Sequence, residues 1–268
     1  MPELPEVETI IRGLSRQLVG RRIANVEFPW PGLVVGDVDE TTRQLRGQRI
    51  SNIHRHGKYI VVELNRARQK SCLVIHLRMT GNLLVNGEPG PYTRAILYLE
   101  GSRVLVYHDI RKFGRWQWSP ALPARLLELG PDPLEISEAE FLVRLRARRA
   151  MAKALLLDQE FLRGIGNIYA DEALFRAGIH PRANTAQIGP ARGHRLWVAM
   201  REVLNDAIAQ GGSTISNYVD SNGDEGYFQL STFVYGKTGE KCKKCRSAIR
   251  RILIASRSTH FCPRCQRR

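Results

Sequence analysis

The sequence predicts an α+β protein: an N-terminal antiparallel β-sandwich or barrel flanked by helices, then a helical region and a C-terminal β-hairpin. Short β-rich segments separated by turn residues fill the stretch from Arg22 to Tyr107, and helical spacing dominates after residue 136. Four of the five cysteines form two Cys-x2-Cys pairs near the end of the chain. At 268 residues, the chain can build a sizeable core divided over two domains.

The predicted boundaries follow these changes in pattern. The N-terminal domain spans residues 1–130, and the segment 121–135, rich in proline and glycine, is read as a linker that overlaps its end. A helical domain follows over 136–230, and a cysteine-containing finger over 231–268.

The chain opens with Met1-Pro2-Glu3-Leu4-Pro5-Glu6, ahead of an amphipathic helix that stops near Gly20. Removal of Met1, usual before a small residue, would leave Pro2 with a free secondary amine. An α-amino group has a pKa of roughly 7.7–8.0, so a fraction of it is nucleophilic at neutral pH. Beside the carboxylates of Glu3 and Glu6, such an amine can attack a sugar C1′ or a carbonyl and form an iminium. A plain helix start is the alternative.

The β-rich segments are bounded by turn residues, which favours an antiparallel arrangement over a parallel α/β sheet. Cys72 lies in an apolar run and is expected to be a buried strand residue. The segments are Ile23–Phe28, Ile50–Ile53, Tyr59–Leu64, Cys72–Leu77, Leu83–Val85, Ala95–Leu99 and Val104–Tyr107.

Several turns in this region carry basic or exposed apolar residues. Lys58 follows Gly57, and Met79 lies in a link between two strands. Phe113 is flanked by cations in Asp109–Arg115, a combination that suits nucleic acid, with cations for phosphate and a ring to wedge between bases. The alternatives are that Lys58 is an ordinary surface lysine, that Met79 is a core residue and that Asp109–Arg115 is a solvated loop.

The second half is helical. Ser137 and Glu140 form a capping-box candidate, and Gly164–Asn167 leads into a helix N-terminus that could bind an anion. The polar segment 213–229 is predicted to be a mobile loop, either a lid or plain surface disorder. The predicted helices are Phe141–Arg149, Met151–Gln159, Asn167–Gly178 and Leu196–Gln210.

The cysteine pairs are Cys242 with Cys245 and Cys262 with Cys265, at the spacing of zinc sites. Four thiolates make a closed tetrahedral site, so the zinc is expected to be structural, with disulfides as the lesser alternative. Ala248–Ala255 is the predicted first strand of the hairpin, and Arg257 is expected in a bend over 256–259.

The composition indicates an acidic partner. The formal net charge is +15, with 43% hydrophobic and 25% charged residues. Such an excess favours nucleic acid, because no stretch combines a basic face with a strongly apolar one as lipid binding requires. No membrane-spanning run or secretory signal is present, so the cytoplasm or nucleoid is the expected location, and nothing calls for more than a monomer.

Taken in order, these motifs resemble the formamidopyrimidine-DNA glycosylase/endonuclease VIII family over nearly the whole chain. The resemblance rests on Pro2–Thr9, His56–Tyr59, His76–Gly81, Asp109–Gly114, Leu157–Glu172 and the finger ending at Gln266. It implies a β-sandwich, a helix-two-turns-helix domain and a zinc finger, with damaged duplex DNA in the cleft between them. The implied activity is base-excision repair: excision of 8-oxoguanine and formamidopyrimidines through a Schiff base, followed by β,δ-elimination.

The resemblance also implies residue roles. Pro2 is the nucleophile, Glu3 an acid and base on the sugar, and Lys58 and Arg257 phosphate contacts that assist elimination. The further implied DNA contacts are Arg148, Lys153 and Asn167 on phosphate, Met79, Arg111 and Phe113 in the space of the extruded base, and Tyr92 where many members have a histidine. The alternatives are an endonuclease VIII-like enzyme for oxidised pyrimidines and a non-catalytic zinc-containing DNA-binding protein.

Overall fold

The computed structural model describes residues 2–213 and 220–268. It divides into two compact units, one formed by Met1–Leu127 with Gln210–Gln229 and the other by Glu128–Ala209 with Leu230–Arg268. The described residues of this segment, 210–213 and 220–229, were placed by the sequence in the helical domain, whereas the structure groups them with the first unit. None of the helices in the described part of the chain has the length and hydropathy needed to cross a membrane.

The first unit contains two four-stranded antiparallel sheets, with strand orders β1-β6-β7-β5 and β2-β3-β4-β8. Its elements are α1 Leu4–Leu18, β1 Ile23–Glu27, α2 Val38–Leu45, β2 Arg49–His56, β3 Tyr59–Arg66, β4 Gln69–His76, β5 Gly81–Val85, β6 Thr93–Leu99, β7 Arg103–Asp109, β8 Arg115–Ser119 and α3 Ala124–Leu127. The sandwich is confirmed, since one buried cluster joins apolar side chains of both sheets.

The apolar stripe of α1 joins the same core: Val7, Ile10, Ile11, Leu14 and Leu18 are all buried in the cluster. The helix packs against β2, β3 and β5. Burial of a complete stripe fixes both the rotation and the axial position of α1. The residues that precede it are therefore held in a defined place. Cys72 is buried in β4, as predicted.

The sequence analysis missed a short 3-10 helix over Pro31–Leu33 and three longer elements of this unit. Strand β8 carries Trp116 and Trp118 at the period of a strand, but the sequence analysis ended the β region at Tyr107. Helix α2 begins after Asp37, whose carboxylate accepts a hydrogen bond from Glu40 N at 2.6 Å, a typical N-cap. Helix α3 lies inside the predicted linker.

The second unit consists of helices and the finger hairpin. Its elements are α4 Glu138–Arg146, α5 Ala152–Leu157, α6 Asn167–Ala177, α7 Pro190–Ala209, α8 Phe228–Ser231 (which begins in the first unit), β9 Arg250–Ile254 and β10 Arg257–Phe261. Ser137 Oγ accepts from Glu140 N at 3.2 Å, so Ser137 is the N-cap and this half of the predicted capping box is confirmed. Helix α7 begins at Pro190 instead of Leu196, because proline suits the first helical position.

The bend of the finger is tighter than predicted. Arg257 pairs with Ile254, so only Ala255 and Ser256 form the turn, with φ of 49° and 58°. Positive φ at both positions is the geometry of a two-residue hairpin turn that follows the strand twist. The prediction of a bend over 256–259 was wrong, and Arg257 is the first residue of β10, immediately after the turn.

We expect Gly130→Ala to destabilise the second unit by about 1–3 kcal/mol, the usual cost of overpacking. A Cβ at this position would lie 2.4 Å from Glu160 O and 2.6 Å from Phe161 O, and backbone atoms cannot rotate away. Gly189→Ala is the matched control, because its Cβ would meet nothing within 4 Å. Denaturant unfolding compares the two, and equal stability would show that the backbone at residues 160–161 yields freely.

Candidate active site and metal centre

The first residues form a buried carboxylate cluster at the start of α1. Pro2 and Glu3 are buried, and Glu6, in the first turn of the helix, is 2% exposed. Glu6 Oε2 accepts a hydrogen bond from Glu3 N at 2.7 Å, and Glu6 Oε1 accepts from Ser213 N at 2.9 Å. Glu6 therefore holds the backbone on both sides of the cluster, which agrees with its predicted supporting role. Met1 lies outside the described residues, as does part of the loop 213–229.

Lys58 lies in the two-residue turn between β2 and β3. His56 pairs with Tyr59 across this turn, and Gly57 has φ of 63°, which favours glycine. The next strand places His76 opposite Tyr59, with the two rings edge to face at 4.6 Å. The turn thus presents Lys58, which is half-buried, beside a row of strand residues that ends at His76.

His76 is a feature that the sequence analysis quoted within a motif without selecting it. Burial lowers the pKa of His76 to about 3, assisted by the positive charges of Arg78, Lys58 and Arg125. Its Nδ1 lies 3.0 Å from Arg78 N, which donates to it, so the ring is neutral with its proton on Nε2. A histidine at a strand end before a basic turn was the available signal.

The predicted trio is brought together in the first unit. Arg111 Nη1 lies 3.1 Å from Met79 Sδ, and the Arg111 guanidinium stacks over the Phe113 ring at 4.6 Å. Met79 is 42% exposed and Phe113 46%, which rules out a core methionine. A flat cation with two exposed apolar side chains can enter a base stack and present donors to an unpaired base.

Asp109 holds this trio in place and was not predicted. The carboxylate is 1% exposed and accepts hydrogen bonds from Arg111 N at 3.2 Å, from Gly114 N at 2.8 Å and from the Thr80 hydroxyl. Backbone N–H groups two and five residues beyond an aspartate are the pattern of a side chain that closes its own loop. Tyr92 is tied to the same strand end, because its carbonyl accepts from Asp109 N at 2.9 Å, while its side chain is 48% exposed.

In the second unit, Lys153 has a different environment from the one predicted. Lys153 and Asp171 are both fully buried and form an ion pair, and Lys153 Nζ also donates to Asn167 O at 3.0 Å. Asp171 Oδ2 accepts from His260 N at 2.9 Å. The ammonium group is thus enclosed between α6 and the finger, and the expectation of a direct phosphate contact is replaced by a structural role.

The remaining predicted contacts of this unit lie around the same network. Asn167 begins α6, and its Nδ2 donates to Ser258 O at 3.0 Å, next to the exposed Arg257. Arg148 is exposed and lies 3.7 Å from Asp158 Oδ2. Glu172, the residue after Asp171, accepts from the backbone N–H groups of residues 233–235 at 2.8–2.9 Å. Helix α6 therefore fixes both the finger and the segment that leads into it.

The cysteines fit a zinc ion. The Sγ atoms of Cys242, Cys245, Cys262 and Cys265 all lie within 4.8 Å of one another. Two pairs are 3.4 and 3.9 Å apart, close to the edge of about 3.8 Å that a tetrahedron with Zn–S bonds of about 2.3 Å requires. Hydrogen bonds from Ser247 lower the pKa of Cys245 to about 6, which is the direction that favours the metal-binding thiolate.

Comparison with known proteins covers the chain from end to end. The formamidopyrimidine-DNA glycosylase N-terminal domain matches residues 1–116, its H2TH domain matches 129–219, and a zinc finger found in FPG and IleRS matches 239–268. The formamidopyrimidine-DNA glycosylase of Solibacter usitatus is 49% identical, with full coverage of both chains. The expected helix-two-turns-helix domain and zinc finger are confirmed by these matches.

Solved structures of the same family are similar to this chain over almost its whole length. MutM (Fpg) of Thermus thermophilus is 41% identical with a TM-score of 0.88, over 99% of this chain and 98% of that one. Fpg of Lactococcus lactis, in a complex with DNA containing Fapy-dG, is 36% identical with a TM-score of 0.89, over 99% and 100% of the two chains.

We expect Lys153→Met to lower the free energy of unfolding by about 3–5 kcal/mol, because it leaves the buried charge of Asp171 without its cation. Methionine preserves most of the volume, so the loss reports the charge. Lys241→Met, at an exposed lysine, is the control. Unchanged stability, together with weaker and less salt-dependent DNA binding, would instead return Lys153 to a phosphate contact.

We expect one zinc per chain by elemental analysis. Cys245→Ser should reduce the zinc content and the affinity for DNA, because three thiolates and a hydroxyl bind zinc less well than four thiolates. Cys72→Ser tests the specificity of this effect, since Cys72 is a buried strand residue of the first unit, and it should leave the zinc content at one. Equal zinc in the two variants would contradict the assignment.

Proposed function

Because the chain belongs to the formamidopyrimidine-DNA glycosylase family, we propose that Pro2, once Met1 is removed, is the nucleophile with which it excises oxidised purines from duplex DNA. The protein is a DNA glycosylase for oxidised purines, and AP lyase activity is typical of its family. The observation that carries the assignment of Pro2 is the buried arrangement of Pro2, Glu3 and Glu6 at the start of α1.

The reaction begins with extrusion of the damaged nucleotide, because its glycosidic bond cannot be reached inside the stack. We assign Met79, Arg111 and Phe113 to the space that the base leaves. Phe113 wedges the neighbouring base pair, and the Arg111 guanidinium faces the orphaned base. The stacking of Arg111 on Phe113 and the hold of Asp109 on their loop support this assignment, since both preorganise the trio before DNA binds.

The first chemical step is nucleophilic substitution at C1′. The Pro2 nitrogen donates its lone pair to C1′, the bond from C1′ to the base breaks, and the base leaves with the electron pair and gains a proton. The amine loses its own proton. Glu3 then protonates O4′ as the C1′–O4′ bond breaks, which opens the sugar and gives the iminium. Because both oxygens of Glu6 already accept backbone N–H groups, Glu3 is the better candidate for this proton transfer.

The iminium then drives strand cleavage. Loss of a proton from C2′ expels the 3′ phosphate, and loss of a proton from C4′ expels the 5′ phosphate, so the product is a one-nucleotide gap with phosphate ends. We assign Lys58 to the phosphate beside the sugar, and Arg257 and Asn167 to phosphates on the finger side. The bond from Asn167 to Ser258 O supports this, because it ties the start of α6 to the residue after Arg257. Zinc supplies rigidity to the hairpin that presents Arg257.

The two alternatives drawn from the sequence are not retained. Relatives named formamidopyrimidine-DNA glycosylase match over their full length, which favours oxidised purines over pyrimidines and an enzyme over a simple DNA-binding protein. Since the substrate is chromosomal DNA, we propose that the protein acts at the bacterial nucleoid.

We expect borohydride to trap the processed protein covalently on duplex DNA containing 8-oxoguanine opposite cytosine, because hydride reduces the iminium to a stable amine. Pro2→Gly should trap at least tenfold less, since the pyrrolidine that holds the nitrogen in place is lost. A chain with an acetylated N-terminus should not trap at all. Adduct is measured on denaturing gels, after fluorescence anisotropy has shown equal binding to undamaged DNA.

Strong trapping by the acetylated chain would move the nucleophile to another residue. The substrate class is tested separately, by comparing cleavage of duplexes that contain 8-oxoguanine or thymine glycol at equal concentration. Faster cleavage of thymine glycol would overturn the oxidised-purine assignment while leaving the role of Pro2 intact.

A further inference from the structure

A pocket lined by arginines opens on the sheet β2-β3-β4-β8, on the face opposite the sandwich core. Its volume is about 200 Å³, room for about seven water molecules at roughly 30 Å³ each. Tyr59 and His76 face each other across β3 and β4, and Arg115 lies beside His76 on β8. The neighbouring residues Ile60, Ile75 and Trp116 point to the core, as the alternation of a strand requires.

Three cations line this pocket: Arg78, Arg115 and Arg125. All three are exposed, and none of them has a carboxylate within ion-pairing distance in the part of the chain that the structure describes. Arg115 donates to Gly114 O at 2.7 Å, which leaves its other nitrogens as donors. Guanidinium groups that line one pocket without an acid create a field for an anion, and their planar fork matches a phosphate.

His76 also lines this pocket, with its ring edge to face against the Tyr59 ring at 4.6 Å. Burial is the main cause of its low pKa, and the positive charges of Arg78, Lys58 and Arg125 lower it further. The neutral ring adds no charge and needs no carboxylate. An anion entering the pocket therefore meets arginines that no internal acid compensates.

The other walls are apolar. Val35, Val74 and the Tyr59 ring form this part of the lining, and Gln117 adds one polar side chain. A metal ion is excluded by the cations, and a fully apolar ligand would leave them unpaired. A phosphate with part of its sugar matches both parts of the lining. The phosphate would pair with the arginines, and the sugar carbons would pack against the apolar side chains.

The position of the pocket indicates the source of that phosphate. Arg115 begins the strand that follows the loop of Arg111 and Phe113, and Tyr59 directly follows Lys58. The pocket is therefore continuous along the chain with residues assigned above to DNA. We propose that it binds one phosphate of the DNA backbone through Arg115 and Arg125, as a contact additional to that of Lys58. This inference rests on the proposed function only in taking DNA as the source of the anion.

The test is the salt dependence of DNA binding. Each phosphate contact contributes about 0.9 to the slope of log K against log salt. For Arg115→Gln/Arg125→Gln on a duplex with a tetrahydrofuran abasic analogue, we expect this slope to fall by about one. The loss of affinity relative to the wild type should then be three- to fourfold larger at 50 mM than at 200 mM salt. Fluorescence anisotropy titrations measure the salt slope and the affinities at the two salt concentrations.

Arg68→Gln is the matched control, because Arg68 is an exposed arginine in the β3–β4 turn that does not line the pocket. It should keep the wild-type slope, and thermal unfolding should show all variants folded. A slope in the double variant equal to that of Arg68→Gln overturns the proposal. A phosphate-induced rise in the melting temperature that the double variant loses, with an unchanged DNA slope, would reassign the pocket to a free anion.

The outcome is separable from that of the proposed function. Should the wild type fail to cleave 8-oxoguanine DNA while the double variant still loses slope, the phosphate contact would stand and the enzymatic assignment would fall. If the wild type cleaves 8-oxoguanine DNA and the double variant keeps the wild-type salt slope, the enzymatic assignment would stand and the phosphate contact would fall.

Discussion

The charge on Glu6 is the constraint on which the N-terminal site depends. A buried carboxylate must have its charge compensated, and Glu6 is compensated by backbone N–H groups of Glu3 and Ser213. Asp109 acts in the same way on Arg111 and Gly114, and Asp171 on His260. Glu3 and Arg111 are themselves assigned to the reaction, and His260 lies on the same strand as Arg257.

These buried carboxylates restrain backbone segments that lie outside regular secondary structure or at its ends. The functional side chains lie at a chain terminus, in a loop between strands and beside a hairpin turn, where regular hydrogen bonding does not fix the backbone. A buried acid that accepts two or three N–H groups supplies the missing restraint, and removing it would leave those donors unpaired in the interior. The sites are therefore preorganised by charge burial, with the sandwich and α6 as rigid supports.

Features that depend on residues close together in the sequence were predicted, and features that depend on residues far apart in the sequence were missed. The zinc ligands, the strand periodicity, the stripe of α1 and the cap at Ser137 are local patterns, and all are confirmed. Asp109 was quoted within a motif without a role. Lys153 was assigned to phosphate, whereas its partner Asp171 is distant in sequence and only the fold brings the two together. The apolar neighbours Ala152, Leu155 and Leu156 were the available sign of burial. The bend at Ala255 and Ser256 was misplaced because neither residue is a usual choice for positive φ.

The net charge of +15 does not by itself say which cations can bind DNA, because some of them are paired with carboxylates and others are not. Lys153 is matched to Asp171, Arg55 to Glu8 and Arg176 to Asp206, so these charges stabilise the fold and are largely cancelled at a distance. Arg78, Arg115, Arg125 and Arg257 have no such partner among the described residues. Cations without a carboxylate partner are the ones most available to neutralise phosphates and release counterions, so the affinity for DNA depends on how the cations are paired as well as on their total number. Cations with acidic neighbours hold the protein together, and those without them remain available to the nucleic acid.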